Sequence, residues 1–274
     1  MLRISTNLAS LAAQRAFRQS ERDTSRALQE LATGTRFVSP GANPAGLAIS
    51  ESLRAQVKGS QAALNNADNA SSFMAVAEGA LAEQNNILIR LRELGVQAAS
   101  DTLSDKEREF LNDEFTQLVQ EFDRIAKSTK FGTQPLLDGT TKEYQFQVGI
   151  NGGDENVIEY TSDTDATAYN LDLKGLSVAD KDDARDALET LDEAVTSING
   201  FRAKLGAVQS RLDTSSAHLA TQVENLSAAY SKMSDTDIPE AVTRMRRGQV
   251  LAQYQAVALQ AANDQITNTL RLIA

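Results

Sequence analysis

The stretch from Leu188 to Met233, LETLDEAVTSINGFRAKLGAVQSRLDTSSAHLATQVENLSAAYSKM, decides how this chain folds. Every seventh residue from Leu191 is apolar: Leu191, Ile198, Leu205, Leu212, Leu219, Leu226 and Met233. A second column, Leu188, Val195, Arg202, Gln209, Ser216, Val223 and Tyr230, is partly apolar, with Val208 beside Gln209. Apolar residues alternating at three and four form one stripe of a helix. No proline interrupts six heptads, so at about 1.5 Å per residue the helix extends roughly 65 Å. Such a stripe cannot be buried by the helix that carries it, and requires partner helices of similar length.

Composition agrees with helices in long seams. Hydrophobic residues make up 41% of 274, but aromatics only 5%, with no Trp. The net charge of −10 gives no attraction to nucleic acid or anionic lipid. The absence of cysteine excludes disulfides, thiolate zinc sites and thiol catalysis. No apolar run is long enough to span a bilayer, so no membrane insertion is expected. The opening Met-Leu-Arg-Ile-Ser-Thr-Asn lacks the apolar core of a secretion signal, which points to the cytosol unless another export route operates.

Outward from the long helix, Leu8–Leu31 reads as a helix with a weak stripe of Ala13, Phe17, Ser20, Thr24, Ala27 or Leu28, and Leu31. The following Thr33–Gly46 holds Gly34, Pro40, Gly41 and Pro44, a hinge or extended connector. It lacks the Gly-Lys-Ser/Thr of a phosphate loop. From Leu47 to Ala99 a long helix resumes, with the stripe Ala70, Met74, Ala77, Leu81, Gln84, Leu88, Leu91, Leu94 and Ala98. Ser104 and Glu107 form a capping box for the next helix, striped by Leu111, Phe115, Leu118, Phe122 and Ile125. Six of the fifteen glycines then fall between Gly132 and Gly175. Tyr144, Phe146 and Val148 alternate with glutamines at strand period, Asn151-Gly-Gly-Asp154 is a turn signal, Val157–Tyr160 a second strand and Leu171/Leu173 a candidate third. A second break, Ser234–Pro239, precedes a last helix containing Val250, Leu251, Tyr254, Val257, Ala258, Ala261, Ala262, Ile266, Leu270 and Ile273.

The expected fold is therefore mainly α: a long antiparallel coiled-coil helical bundle with a small β-hairpin excursion at about residues 140–175. The terminal helices pair as a separate core domain, residues 1–43 with 234–274, and residues 44–233 form the bundle. Hinges at Gly34, Pro40, Gly41, Pro44 and Pro239 join the two. Leu8, Leu11, Phe17, Leu28, Leu31, Val250, Leu251, Tyr254, Val257, Ala261, Ile266 and Leu270 supply more apolar surface than one chain covers. At roughly 1.5–3 kcal/mol per fully buried Leu or Ile, partner chains are strongly favoured. Heterologous contacts that do not close give helical filaments, with ends mobile when alone and ordered when packed.

Catalytic and metal-binding patterns are missing. His218 is the only histidine, Asp163-Thr-Asp165 lacks the rest of a calcium loop, and no nucleophile elbow occurs. No enzyme activity and no cofactor are expected. Two glycosylation sequons, at Asn69 and Asn225, fall within expected helices.

Particular motifs resemble bacterial flagellin over nearly the whole chain. They are Ile4-Ser-Thr-Asn7, Leu31-Ala-Thr-Gly-Thr-Arg36, Ala45-Gly-Leu-Ala-Ile-Ser50, Leu53-Arg-Ala-Gln-Val57 and Arg90-Leu-Arg-Glu-Leu-Gly-Val-Gln-Ala98. Asp113–Gln117, Phe122-Asp-Arg124, Phe146–Gly149, Leu205–Leu212, Glu224–Ala229, Ser234–Asp237 and Gln249–Leu251 follow in order. The resemblance implies the subunit of an extracellular flagellar filament for motility, in a short form lacking the variable outer domains. It implies export through a type III apparatus without a cleaved signal peptide. The implied partners are further copies of the chain, an export chaperone on the C-terminal helix, filament cap and junction proteins, and Toll-like receptor 5. Arg90, Leu94 and Glu114 match the receptor-facing or intersubunit surface, while Ile89, Leu91 and Gly95 depart from the receptor-active pattern. A hook–filament junction protein of the same family, or a cytosolic coiled-coil scaffold, is the alternative.

Overall fold

The computed structural model describes residues 7–273 apart from 42, 141–142 and 162–163, and side chains as far as residue 264. Five helices dominate: α1 (Leu8–Thr33), α2 (Pro44–Ala98), α3 (Asp105–Ser128), α4 (Lys181–Ser234) and α5 (Ile238–Ile273). Between α3 and α4 lie two small antiparallel hairpins, β1 (Lys130–Phe131) with β2 (Gln134–Pro135), and β3 (Glu143–Gln147) with β4 (Val157–Thr161). The mainly α architecture with a β excursion is thus the one expected.

Local chemistry sets the helix ends. The Asn7 side chain accepts from Ser10 N–H at 3.0 Å, and Gly34 closes α1 in the left-handed region at φ 70°. Asn43 caps α2 through Gly46 N–H at 2.9 Å, and Asp237 caps α5 through Glu240 N–H at 3.1 Å. Pro44 and Pro239 lie in the first turns of α2 and α5, where proline forfeits no helical hydrogen bond. α2 therefore starts at Pro44 and α5 at Ile238, one residue before Pro239, rather than after the prolines. At α3 the Glu107 carboxylate accepts from Ser104 N–H at 2.8 Å and its hydroxyl at 2.7 Å.

The chain forms two compact units, residues 1–57 with 224–274 and residues 58–223. The division falls inside α2 and α4, not at the connectors where the sequence placed it. The first turn of α2 belongs with the first connector: a Cβ at Gly46 would press on the Phe37 ring at 2.8 Å.

In residues 58–223 the stripe Ala63, Ala67, Ala70, Met74, Ala77, Leu81, Gln84, Leu88, Leu91, Leu94 and Ala98 of α2 is buried throughout. It meets Phe115 and Phe122 of α3 and Leu191, Ile198, Leu205, Leu212 and Leu219 of α4 in one core. Close approach is needed where Gly95 faces α4, since a Cβ there would stand 3.1 Å from Leu188 Cδ2. Gln84 occupies a core position and donates to Phe122 O at 3.1 Å and Ala166 O at 2.9 Å, tying α2 to α3 and to the return loop. Arg108, also buried, donates to Ala98 O at 2.7 Å, Ser100 O at 2.8 Å and Leu103 O at 3.0 Å. A cation thus satisfies the carbonyls that the end of α2 leaves open.

The register β3–β4 pairs Tyr144 with Tyr160 and Phe146 with Ile158. Tyr144 packs edge-on to Phe73 of α2 at a centroid distance of 4.8 Å, which seats the hairpin on the bundle. Leu171 and Leu173 are not a strand. Asp172 between them has φ 53°, so both leucines turn inward from a tight bend and are buried.

Candidate assembly interface

Residues 1–57 and 224–274 contain the terminal pair. α1 and α5 run antiparallel: Asn7 Nδ2 donates to Ala262 O at 2.9 Å near one end, and Arg244 Nη2 meets Glu30 Oε2 at 2.7 Å near the other. Beyond them the connectors cross. Arg36 N–H donates to Ser234 O at 2.8 Å and Thr236 N–H to Gly34 O at 2.9 Å. Glu30 is 3% exposed and is held by Arg26 as well as Arg244, so its buried charge is paired from both helices.

The seam of the pair is narrow. On α1 it is Ser10, Ala13, Phe17, Ser20, Thr24, Ala27 and Leu31, buried or half-buried at strict three–four spacing. On α5 the sheltered positions are Ala241, Met245, Gly248, Ala252, Gln255, Leu259 and Ala262, again at three–four spacing. Small residues let the backbones approach, and a Cβ on Gly248 would fall inside contact distance of Thr24 Oγ1 and 3.5 Å from Ser20 O.

Most of the large apolar side chains expected at the polymerisation core face away from this seam. Tyr254 is 71% exposed, Leu8 66%, Val257 65% and Val250 50%. Ala261 is exposed beside them, as are Leu11, Leu28 and Leu251. Val250, Tyr254, Val257 and Ala261 follow three–four spacing on the side of α5 opposite Gly248 and Ala252, so they make a continuous stripe. Phe17 and Leu31 are half-buried in the pair itself. The side chains of Ile266 and Leu270 lie outside the described residues. Of the hinge residues, Gly34 adopts the left-handed conformation, Pro40 and Gly41 lie exposed in the connector, and Pro44 and Pro239 belong to helix first turns.

The second surface expected from the sequence is only partly one surface. Arg90 Nη2 and Glu114 Oε1 pair across α2 and α3 at 2.8 Å, with Glu93 joining at 3.0 Å, and all three are exposed. The hydrogen bonds Arg90 donates to Glu114 and then to Glu93 raise its pKa above the ordinary value. Leu94 is fully buried. Its heptad position in α2 directs it into the core, so it is removed from this surface. Elsewhere on the bundle, Lys181 holds the Asp101 carboxyl below its usual range and Arg92 does the same for Asp192. Among the described residues no cluster of His, Cys, Asp or Glu could hold a metal ion, and no helix is long and apolar enough to cross a membrane.

An antiparallel terminal pair with a narrow inner seam and a continuous exposed apolar stripe outside it fits the class of structural, self-associating subunits. Sequence comparison makes the assignment particular. The bacterial flagellin N-terminal helical region matches residues 4–142, and the bacterial flagellin C-terminal helical region matches residues 188–273. A flagellin of Halalkalibacterium halodurans is 36% identical over 270 residues, covering 98% of this chain and 99% of its own length. The flagellin of Bacillus subtilis is 33% identical, covering 99% and 100%. A flagellar filament 30.7 kDa core protein of Treponema maltophilum is 35% identical, covering 99% of each. The crystal structure of Bacillus cereus flagellin is similar at 29% identity and TM-score 0.51, covering 61% of this chain and 94% of that one. The chain belongs to the bacterial flagellin family, the structural subunits of the extracellular flagellar filament.

Proposed function

We propose that the chain polymerises through the outer face of its terminal pair, burying the Val250–Tyr254–Val257–Ala261 stripe of α5 and Leu8 and Leu11 of α1 against other copies, to build a filament used in motility. The observation that carries this reading is the sorting of side chains in α5. Its outer positions Val250, Tyr254 and Val257 are large, apolar and exposed, and they lie opposite the buried Gly248 and half-buried Ala252. A helix that ended its packing with α1 would have no reason to line up a tyrosine and two valines on its outward side. The stripe is continuous rather than scattered, which marks an interaction surface.

The same exposed stripe favours two further steps. Before assembly it would need cover, which suits an export chaperone on the C-terminal helix and passage through a type III apparatus. At the filament's ends, cap and junction proteins would meet the surfaces that neighbouring copies cover elsewhere. The exposed Arg90–Glu114 pair suits either a contact between copies or Toll-like receptor 5, with Leu94 contributing only through the core.

Deleting Gln249–Ala274 tests the central reading. The truncated chain should keep a helical bundle over residues 58–223 by circular dichroism and fail to form filaments in electron micrographs. Normal filaments from it would refute the role given to α5.

A further inference from the structure

The dipeptide Asn-Gly occurs twice in the chain, at Asn151–Gly152 and at Asn199–Gly200. All four residues are exposed. Their backbones differ completely. Asn199–Gly200 lies inside α4, where each amide N–H is engaged to the carbonyl four residues earlier. Asn151–Gly152 lies in the loop between β3 and β4, ahead of the 3-10 turn Asp154–Asn156. The loop's backbone hydrogen bonds run from Val148 N–H to Asn156 O at 2.8 Å and from Asn156 N–H to Gly153 O at 2.9 Å. Neither the Gly152 N–H nor the Asn151 side-chain amide has a hydrogen-bond partner among the described residues. Gly152 also has open space where a Cβ would stand.

We propose that Asn151–Gly152 is a site of spontaneous backbone self-modification, and that the fold protects Asn199–Gly200 from the same reaction. The Gly152 nitrogen loses its proton to solvent base and attacks Asn151 Cγ. The N–Cγ bond forms, the Cγ–Nδ2 bond breaks, and the amide nitrogen leaves as ammonia, giving a five-membered cyclic imide. Water then opens the ring at either carbonyl. Attack at one restores the chain with aspartate at 151, and attack at the other gives isoaspartate. The net change is one amide and one water to one carboxylic acid and one ammonia, with no oxidant or reductant. Glycine at 152 matters because it has no side chain to obstruct the attack and its backbone reaches the needed geometry freely.

The site is placed to register the change. The Asn151 carbonyl accepts from Gln147 Nε2 at 2.9 Å, which also donates to Gly149 O at 2.8 Å. Isoaspartate reroutes the chain through the former side chain and adds a methylene, displacing that carbonyl. Either product adds a negative charge to a loop already carrying Asp154 and Glu155. Copies held in a filament outside the cell are not resynthesised in place, so the conversion would accumulate with the age of the polymer.

The test is incubation of the purified full chain in mildly alkaline buffer, followed by digestion and mass spectrometry of both peptides. Enzymatic methylation of isoaspartate gives an independent readout. Residue 151 should convert at least about tenfold faster than residue 199, because the helical site must open before it can react. In denaturant the two rates should become similar, and Gly152→Ala should slow conversion at 151 by at least about tenfold. Equal rates at 151 and 199 in the folded chain, or a Gly152→Ala chain that converts as fast as the parent, would overturn the proposal.

Discussion

Replacing Gly248 by alanine tests how tightly the terminal pair is packed. In an isolated helix the change stabilises by about 1 kcal/mol, because alanine forms helix better than glycine. Here the new Cβ enters the seam against Thr24, with Thr24 Cβ at 3.4 Å and Ser20 O at 3.5 Å as the next neighbours. Thr24 cannot simply swing aside. It is β-branched, and its hydroxyl donates to Ser20 O at 2.8 Å. Overpacking a well-fitted contact costs about 1–3 kcal/mol, so the net effect of Gly248→Ala should be a loss of about 0–2 kcal/mol. Adding Thr24→Ala removes the obstruction, and the double variant should recover the helix gain. The cycle should give a coupling of about 1–3 kcal/mol between the two sites. Two compact units make a single global unfolding free energy ill-defined, so the assay is amide hydrogen exchange in α1 and α5 separately. Additivity within about 0.5 kcal/mol would mean that the helices do not meet closely at Gly248.

Other parts of the structure give equally direct expectations. Arg108→Ala removes a charged donor from the Ala98, Ser100 and Leu103 carbonyls. It should destabilise residues 58–223 by about 2–4 kcal/mol, seen as faster exchange at the α2–α3 turn, and Arg108→Lys, lacking the fork, should restore only part of this. Asp101, Glu107, Glu121 and Asp192 all have pKa values lowered in the folded chain, by Lys181, the Ser104 N–H, Arg124 and Arg92 respectively. A lowered carboxyl pKa stabilises above its unfolded value and ceases to do so as pH falls through the folded one. Urea midpoints should therefore stay level from neutrality to about pH 5 and decline below about pH 4. A decline beginning above pH 6 would show that these carboxylates do not govern acid stability.

Much of the bundle was legible because its seams use large residues at strict spacing. Leu191, Ile198, Leu205, Leu212 and Leu219 are buried as their period required, and so is the whole Ala70–Ala98 stripe. The inner seam of α1 was legible for the same reason of period, although most of its residues are small. That of α5 was not. Val250, Leu251, Tyr254 and Val257 draw the eye by hydrophobicity, yet the pair shelters Met245, Gly248 and Ala252 instead. Reading for size misses a contact whose stability depends on closeness. Leu94 was assigned to a surface by motif although its own heptad placed it inside. Leu171 and Leu173 alternate like a strand, but only the backbone reveals the bend at Asp172 between them. Arg108 gave no signal at all, because its partners are carbonyls, and a sequence does not show where a helix leaves those open.

The most direct measurement is filament assembly of the full chain carrying Tyr254→Glu and Val257→Glu, followed by sedimentation and electron microscopy. Both side chains are exposed in the single chain, at 71% and 65%, so its helix content should be unchanged. With two carboxylates in the outer stripe, that chain should stay in the supernatant at concentrations where the parent pellets as filaments. Parent-like filaments from it would contradict the claim that the outer face of α5 is covered by other copies.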